Sequence, residues 1–102
     1  MNVKYDAIFA KKGDMVYISH LDLMMLLTRA IRRTELPFSL SQGFTPRLRL
    51  SIPKALKLGR ASDSEEMSFW LEEELPAADL AEVINRRLPE GIRITKVNKC
   101  GK

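Results

Sequence analysis

The stretch Glu66-Met67-Ser68-Phe69-Trp70-Leu71-Glu72-Glu73-Glu74-Leu75-Pro76-Ala77-Ala78-Asp79-Leu80-Ala81 changes its periodicity once, and that change decides the fold. Before Pro76, apolar residues fall at every second position. Met67, Phe69 and Leu71 share one face and Ser68, Trp70 and Glu72 the other, the pattern of a half-buried strand over residues 66–72. Proline is favoured at a helix start, and after Pro76 the spacing becomes helical, with Ala77, Leu80, Ala81, Ile84 and Leu88 in one stripe. Pro89-Glu90-Gly91 stops that helix, and Ile92-Arg93-Ile94-Thr95-Lys96-Val97 reads as the next strand.

The first half repeats the plan. Val3, Tyr5, Ala7 and Phe9 alternate as a strand does, and Lys11-Lys12-Gly13-Asp14 reads as a turn. Residues 15–18 suggest a short second strand in a hairpin with the first. Ser19 is placed as the N-cap of a helix over residues 20–34, with Asp22 in its first turn. Leu23, Leu27, Ala30 and Ile31, with Met24, form its apolar face, and Leu36-Pro37 ends it, because a residue before proline avoids helical geometry. Residues 38–40 are a short strand candidate, and Ser41-Gln42-Gly43-Phe44-Thr45-Pro46 has turn chemistry. Leu48, Leu50 and Ile52 alternate with Arg47, Arg49 and Ser51 as a strand with one basic face, and residues 53–64 read as irregular. Two helices interleaved with strands predict an α+β fold of the ferredoxin-like type: one antiparallel sheet of about four to six strands with two helices on one face.

The 102 residues suit a single domain spanning residues 1–102. No apolar run reaches the roughly 20 residues needed to span a bilayer, and the first residues lack a signal peptide's apolar stretch. The lone Cys100 excludes an internal disulfide framework and a single-chain cysteine-based metal site. These features fit a cytoplasmic protein, and residues 98–102 read as a frayed or truncated end.

The net charge is only +4, but it is unevenly placed. Residues 29–60 hold eight bases (Arg29, Arg32, Arg33, Arg47, Arg49, Lys54, Lys57 and Arg60) against Glu35 alone. Residues 61–85 hold eight acids and no base. A basic half can attract a polyanion while an acidic half repels it or docks a protein, and matching of the two halves to each other is the plain structural alternative.

His20, the only histidine, stands at a helix start beside Asp22. It is a candidate ligand-binding residue and the only candidate acid/base group, although no partner for catalysis is placed by sequence. Two ligands two residues apart make a poor metal site, so no metal and no cofactor are expected. Gln42, Gly43, Thr45 and Arg47 form the better binding candidate. Gly43 permits close backbone approach, Gln42 and Thr45 offer hydrogen bonds, and Arg47 can clamp a phosphate or carboxylate. Phe44 reads first as an anchor for this loop and second as a stacking group. Arg29, Arg32, Arg33, Arg49, Lys54, Lys57 and Arg60 form a candidate electrostatic surface for RNA. Trp70 has two readings. It can stack on bases, as in sheet-surface RNA binders, or it can lie under a helix or a dimer contact; the nearby acids Glu66, Glu72, Glu73 and Glu74 favour the second.

Ser19-His20-Leu21-Asp22-Leu23, the basic helix end Arg29 to Arg33, Ser41-Gln42-Gly43-Phe44-Thr45-Pro46-Arg47 and Leu58-Gly59 ahead of an acidic strand come in the order seen in a bacterial family. The chain resembles the radical SAM-linked family, an uncharacterised domain found alone or fused behind a radical-SAM module, over nearly its whole length. Thr45 stands where the family usually has Asn. Family members are usually longer, so the resemblance suggests the family's N-terminal part, truncated at the C-terminus. It implies an accessory, substrate-presenting role with a radical-SAM protein as partner. Cys100 alone cannot hold an iron–sulfur cluster, so the radical chemistry would belong to that partner. Ferredoxin-like endoribonucleases that process CRISPR repeats offer a further analogy, of fold only. The sequence therefore sets out three expectations. The chain binds RNA or another anionic substrate for its partner, or it is a pure protein-docking domain, or it is a metal-independent ribonuclease using His20. Edge strands make a homodimer a further expectation.

Overall fold

The computed structural model describes residues 2–40, 48–53 and 61–100. Its elements run β1 (Val3–Lys11), a 3-10 turn (Gly13–Tyr17), α1 (His20–Arg32), β2 (Leu50–Ser51), β3 (Ser62–Leu71), α2 (Ala77–Asn85) and β4 (Ile92–Lys99). The four strands form one sheet in the order β2-β3-β1-β4, every neighbouring pair antiparallel. This is the split βαβ arrangement of the ferredoxin-like fold that the two changes of periodicity imply.

Register turns the sequence alternation into two chemically different sheet faces. Tyr5 pairs with Phe69, Ala7 with Met67 and Val97, and Phe9 with Ile94. All of these point into one core, which also takes Leu23, Leu27 and Ile31 of α1 and Leu80 and Ile84 of α2. Tyr5 stacks on Phe69 with ring centroids 5.6 Å apart and planes 15° apart. The other face carries Lys4 opposite Trp70, Asp6 opposite Ser68 and Asn98, and Ile8 opposite Glu66 and Lys96. Both helices bury their apolar stripes on the first face, so no helix among the described residues covers the second.

Two polar clips hold the layers in register. The Tyr5 hydroxyl donates to the Leu75 carbonyl (2.7 Å) and accepts from the Leu75 N–H (2.8 Å), which fixes the approach to α2. The Asn85 carboxamide donates to the Ile94 carbonyl (2.9 Å) and accepts from the Ile94 N–H (2.7 Å), so the last residue of α2 acts as a strand neighbour for β4.

Several element boundaries differ from expectation. Residues 15–18 do not form a strand: Gly13–Tyr17 is a 3-10 turn that buries Val16. Gly91 supports this turn, since Lys12 N–H donates to the Gly91 carbonyl at 2.8 Å. α1 stops at Arg32, before Leu36-Pro37, and the chain leaves it through Glu35 at φ 64°. Phe38 and Leu40 contribute single bridges, to Leu71 and Leu48. β3 begins at Ser62, inside the segment expected to be irregular, and β4 runs on through Asn98 and Lys99, expected to be frayed. Leu88 lies beyond the end of α2.

Candidate functional site

Ser19 caps α1 as its sequence suggests, its hydroxyl accepting the Asp22 N–H at 3.1 Å. His20 follows at the first helical position, exposed, with no side-chain hydrogen bond or ion pair among the described residues. The leading loop candidates Gln42, Gly43, Phe44, Thr45 and Arg47 lie outside the described residues, as do Lys54, Lys57 and Arg60. The residues flanking that loop, Leu40 and Leu48, are bridged to each other.

A groove of about 590 Å³ lies between α1 and the turn that follows α2. One stripe of α1 and its C-cap, made of Asp22, Met25, Leu26, Arg29 and the cap Arg33, forms one wall, and Arg86, Arg87, Leu88 and Pro89 form the other. Residues spaced three and four apart on a helix share a face, which is why these five residues line up. The same geometry places His20 elsewhere, since successive residues turn by about 100° and two steps carry it roughly 160° away from Asp22 around the axis. His20 does not line the groove, and neither does Arg32.

Four arginines thus face one groove that holds a single acid, Asp22. Arg86 is paired with Glu82 one turn back at 2.8 Å, both side chains largely exposed. Arg29, Arg33 and Arg87 have no carboxylate partner among the described residues. Arg29 and Arg33 stand at the C-terminal end of α1, where cations also suit the helix dipole. Arg87 lies on the opposite wall, and Met25, Leu26, Leu88 and Pro89 supply the apolar part of the lining. Such a groove can accept phosphate oxygens in two-point fashion through its arginines. The sequence reading missed Arg86 and Arg87, although they stand directly after the acid-only run that ends at Asn85.

A second cationic group lies on the uncovered sheet face. The Arg49 guanidinium carbon sits 4.7 Å from the Trp70 ring centroid, and Lys4 Nζ sits 5.6 Å from it. Arg49 is held there by its backbone: its N–H donates to the Ser39 carbonyl at 3.0 Å, and its carbonyl accepts the Trp70 N–H at 3.3 Å. Of the two placements expected for Trp70, under a helix or at a dimer contact, the first is corrected, because both helices among the described residues pack on the other face. The acids thought to surround Trp70 are partly engaged elsewhere. Glu74, one of the four, pairs with Lys99 at 3.1 Å.

No cluster of metal-ligating side chains occurs among the described residues, and no helix there is long and apolar enough to cross a membrane. A family model described as an uncharacterized protein conserved in bacteria matches residues 4–102. No curated protein matches the chain.

Proposed function

The chain belongs to this conserved bacterial family, DUF2344, and from that premise we propose that it is a cytoplasmic accessory domain that binds RNA through its phosphate backbone. One observation carries the reading: Arg29, Arg33, Arg86 and Arg87, brought from two helix ends that are distant in sequence, line one groove against a single acid. Packing does not require that convergence, and three of the four arginines have no carboxylate partner among the described residues. Phosphate binding is a summed effect, so several such cations outweigh any one of them. The resemblance to the radical SAM-linked family extends the proposal: the domain holds RNA for a radical-SAM partner, which performs the chemistry. His20 lies apart from the groove and serves neither as its acid nor as its base in this reading.

The test is fluorescence anisotropy of a labelled RNA over a series of salt concentrations, with wild type beside the double variant Arg29→Ala, Arg33→Ala. Each lost phosphate contact should flatten the log–log salt slope by about 0.7 to 0.9, so the double variant should lose about 1.4 to 1.8. Absence of binding at low salt would sink the proposal and leave the exposed Glu72 and Glu73 as the first place to look for protein docking. Recovery of cleaved RNA, abolished by His20→Ala, would replace it with the nuclease reading.

A further inference from the structure

The sheet face that the helices leave uncovered holds the only tryptophan of the chain, and two cations converge on its ring. Lys4 comes from β1 and Arg49 from the segment leading into β2, so the fold gathers them from opposite sides of β3. Neither has a carboxylate partner among the described residues. Two like charges held at one indole repel each other, and a bound anion would relieve that repulsion. Both cations lie over the Trp70 ring, and such a cluster matches a nucleotide, whose base stacks on the indole as these side chains swing aside to meet its phosphate. Only an unpaired strand can offer its bases this way, since the faces of duplex bases are already stacked.

Beside Trp70, one register step along the sheet, lies a hollow of about 320 Å³ whose lining includes Lys4, Asp6, Ile8, Pro53, Glu66 and Ser68. Its carboxylates disfavour phosphate there and can instead accept from the amino group of a base. The charge pattern therefore runs from cations at the indole to acceptors in the hollow, an order that suits a strand laid with backbone at one side and a base edge at the other.

We infer that this face is a second RNA surface, specific for single strands, with Trp70 as the stacking platform and Lys4 and Arg49 as its phosphate contacts. The inference rests on the RNA-binding reading and sharpens it: the groove takes phosphates of any RNA, and the sheet face selects unpaired nucleotides.

Trp70 is its own reporter. A single-stranded oligonucleotide of about ten residues, within the usual site size for such surfaces, should quench its emission saturably, with a midpoint equal to that from anisotropy. A blunt duplex of the same length should bind through the groove without quenching. Trp70→Ala should weaken single-strand binding by roughly 5- to 150-fold, the loss expected for one base stack, and leave duplex binding within about twofold. Trp70→Phe should retain most of the single-strand affinity, which separates a lost stack from a damaged fold. Single-strand binding with unchanged emission and no loss in Trp70→Ala would overturn the inference while leaving the groove intact. Failure of both RNAs to bind would remove the RNA reading and this one with it. Emission that changes with protein concentration in the absence of RNA would mark the face as a contact between copies and would also overturn it.

Discussion

Replacing Tyr5 by Phe should destabilise the domain measurably while leaving RNA binding intact. The Tyr5 ring is fully buried, stacked on Phe69, and a Phe ring occupies the same space. The only loss is the hydroxyl, which donates to the Leu75 carbonyl and accepts from the Leu75 N–H. Both backbone groups of Leu75 would then lack a protein partner. A net contribution of about 0.5–1.5 kcal/mol per hydrogen bond gives about 1–3 kcal/mol for the pair. Leu75 is only half-buried, so water can reach part of the gap, and the lower half of that range is the better expectation. For a domain of this size, each kcal/mol lowers the midpoint by about 4–8 °C, so Tyr5→Phe should melt roughly 4–16 °C below wild type. Far-UV circular dichroism during heating measures this, and hydrogen exchange at the Leu75 amide should accelerate with it. A midpoint within about 2 °C of wild type, a shift worth less than about 0.5 kcal/mol, would refute the view that this bridge anchors the approach to α2.

Two further expectations follow from other parts of the molecule. Gly91 has φ 101°, and a Cβ placed on it would lie 2.7 Å from the Lys12 carbonyl oxygen and 2.8 Å from Met15 Cγ. Gly91→Ala should therefore combine backbone strain with overpacking, about 2–5 kcal/mol in total, whereas Gly13→Ala, with open space around it, should show strain alone; thermal melts of the two variants compare them directly. Glu82→Gln frees Arg86 from an exposed pair worth about 0.3–0.5 kcal/mol, so RNA affinity should rise roughly twofold at low salt with little change in melting temperature, as anisotropy and a melt would show.

Much of the fold could be read from residue spacing, because the spacing reports what each face meets. Met67, Phe69 and Leu71 alternate in sequence and all three are buried, and the helical stripes of Leu23, Leu27 and Ile31 and of Leu80 and Ile84 meet them. Boundaries were less legible where tertiary contacts override local preference. Val16 and Tyr17 suit a strand, but the turn at Gly13 and the support from Gly91 wind them into a 3-10 turn. Ser62, Asp63 and Ser64 look like loop residues, yet they extend β3, with Ser62 opposite Lys11 and Lys12 paired to Asp63 at 3.0 Å. The groove was half legible. Arg29 and Arg33 were read as cationic from their own helix, but Arg86 and Arg87 join them only because the ferredoxin-like crossing sets the end of α2 beside α1. Nothing in a one-dimensional charge pattern reports that meeting. For Trp70, alternation assigned the correct side of β3, and only the completed sheet reveals that this side carries no helix among the described residues.

The strand order also has a consequence for how the chain comes to be made. β1 is translated ahead of the other three strands of the sheet and sits between β3 and β4, bonded to both. Its nearest partner begins at Ser62, opposite Lys11, so the strand emerges from the ribosome about fifty residues before that pairing can start. At about 5–20 residues per second, that is a wait of roughly 3–10 seconds for an apolar strand with two open edges. Hydrophobic segments in this position are natural clients for chaperones, and pairing over such long sequence separations slows folding once it begins. The chain is thus built so that its most buried strand waits longest for its partners.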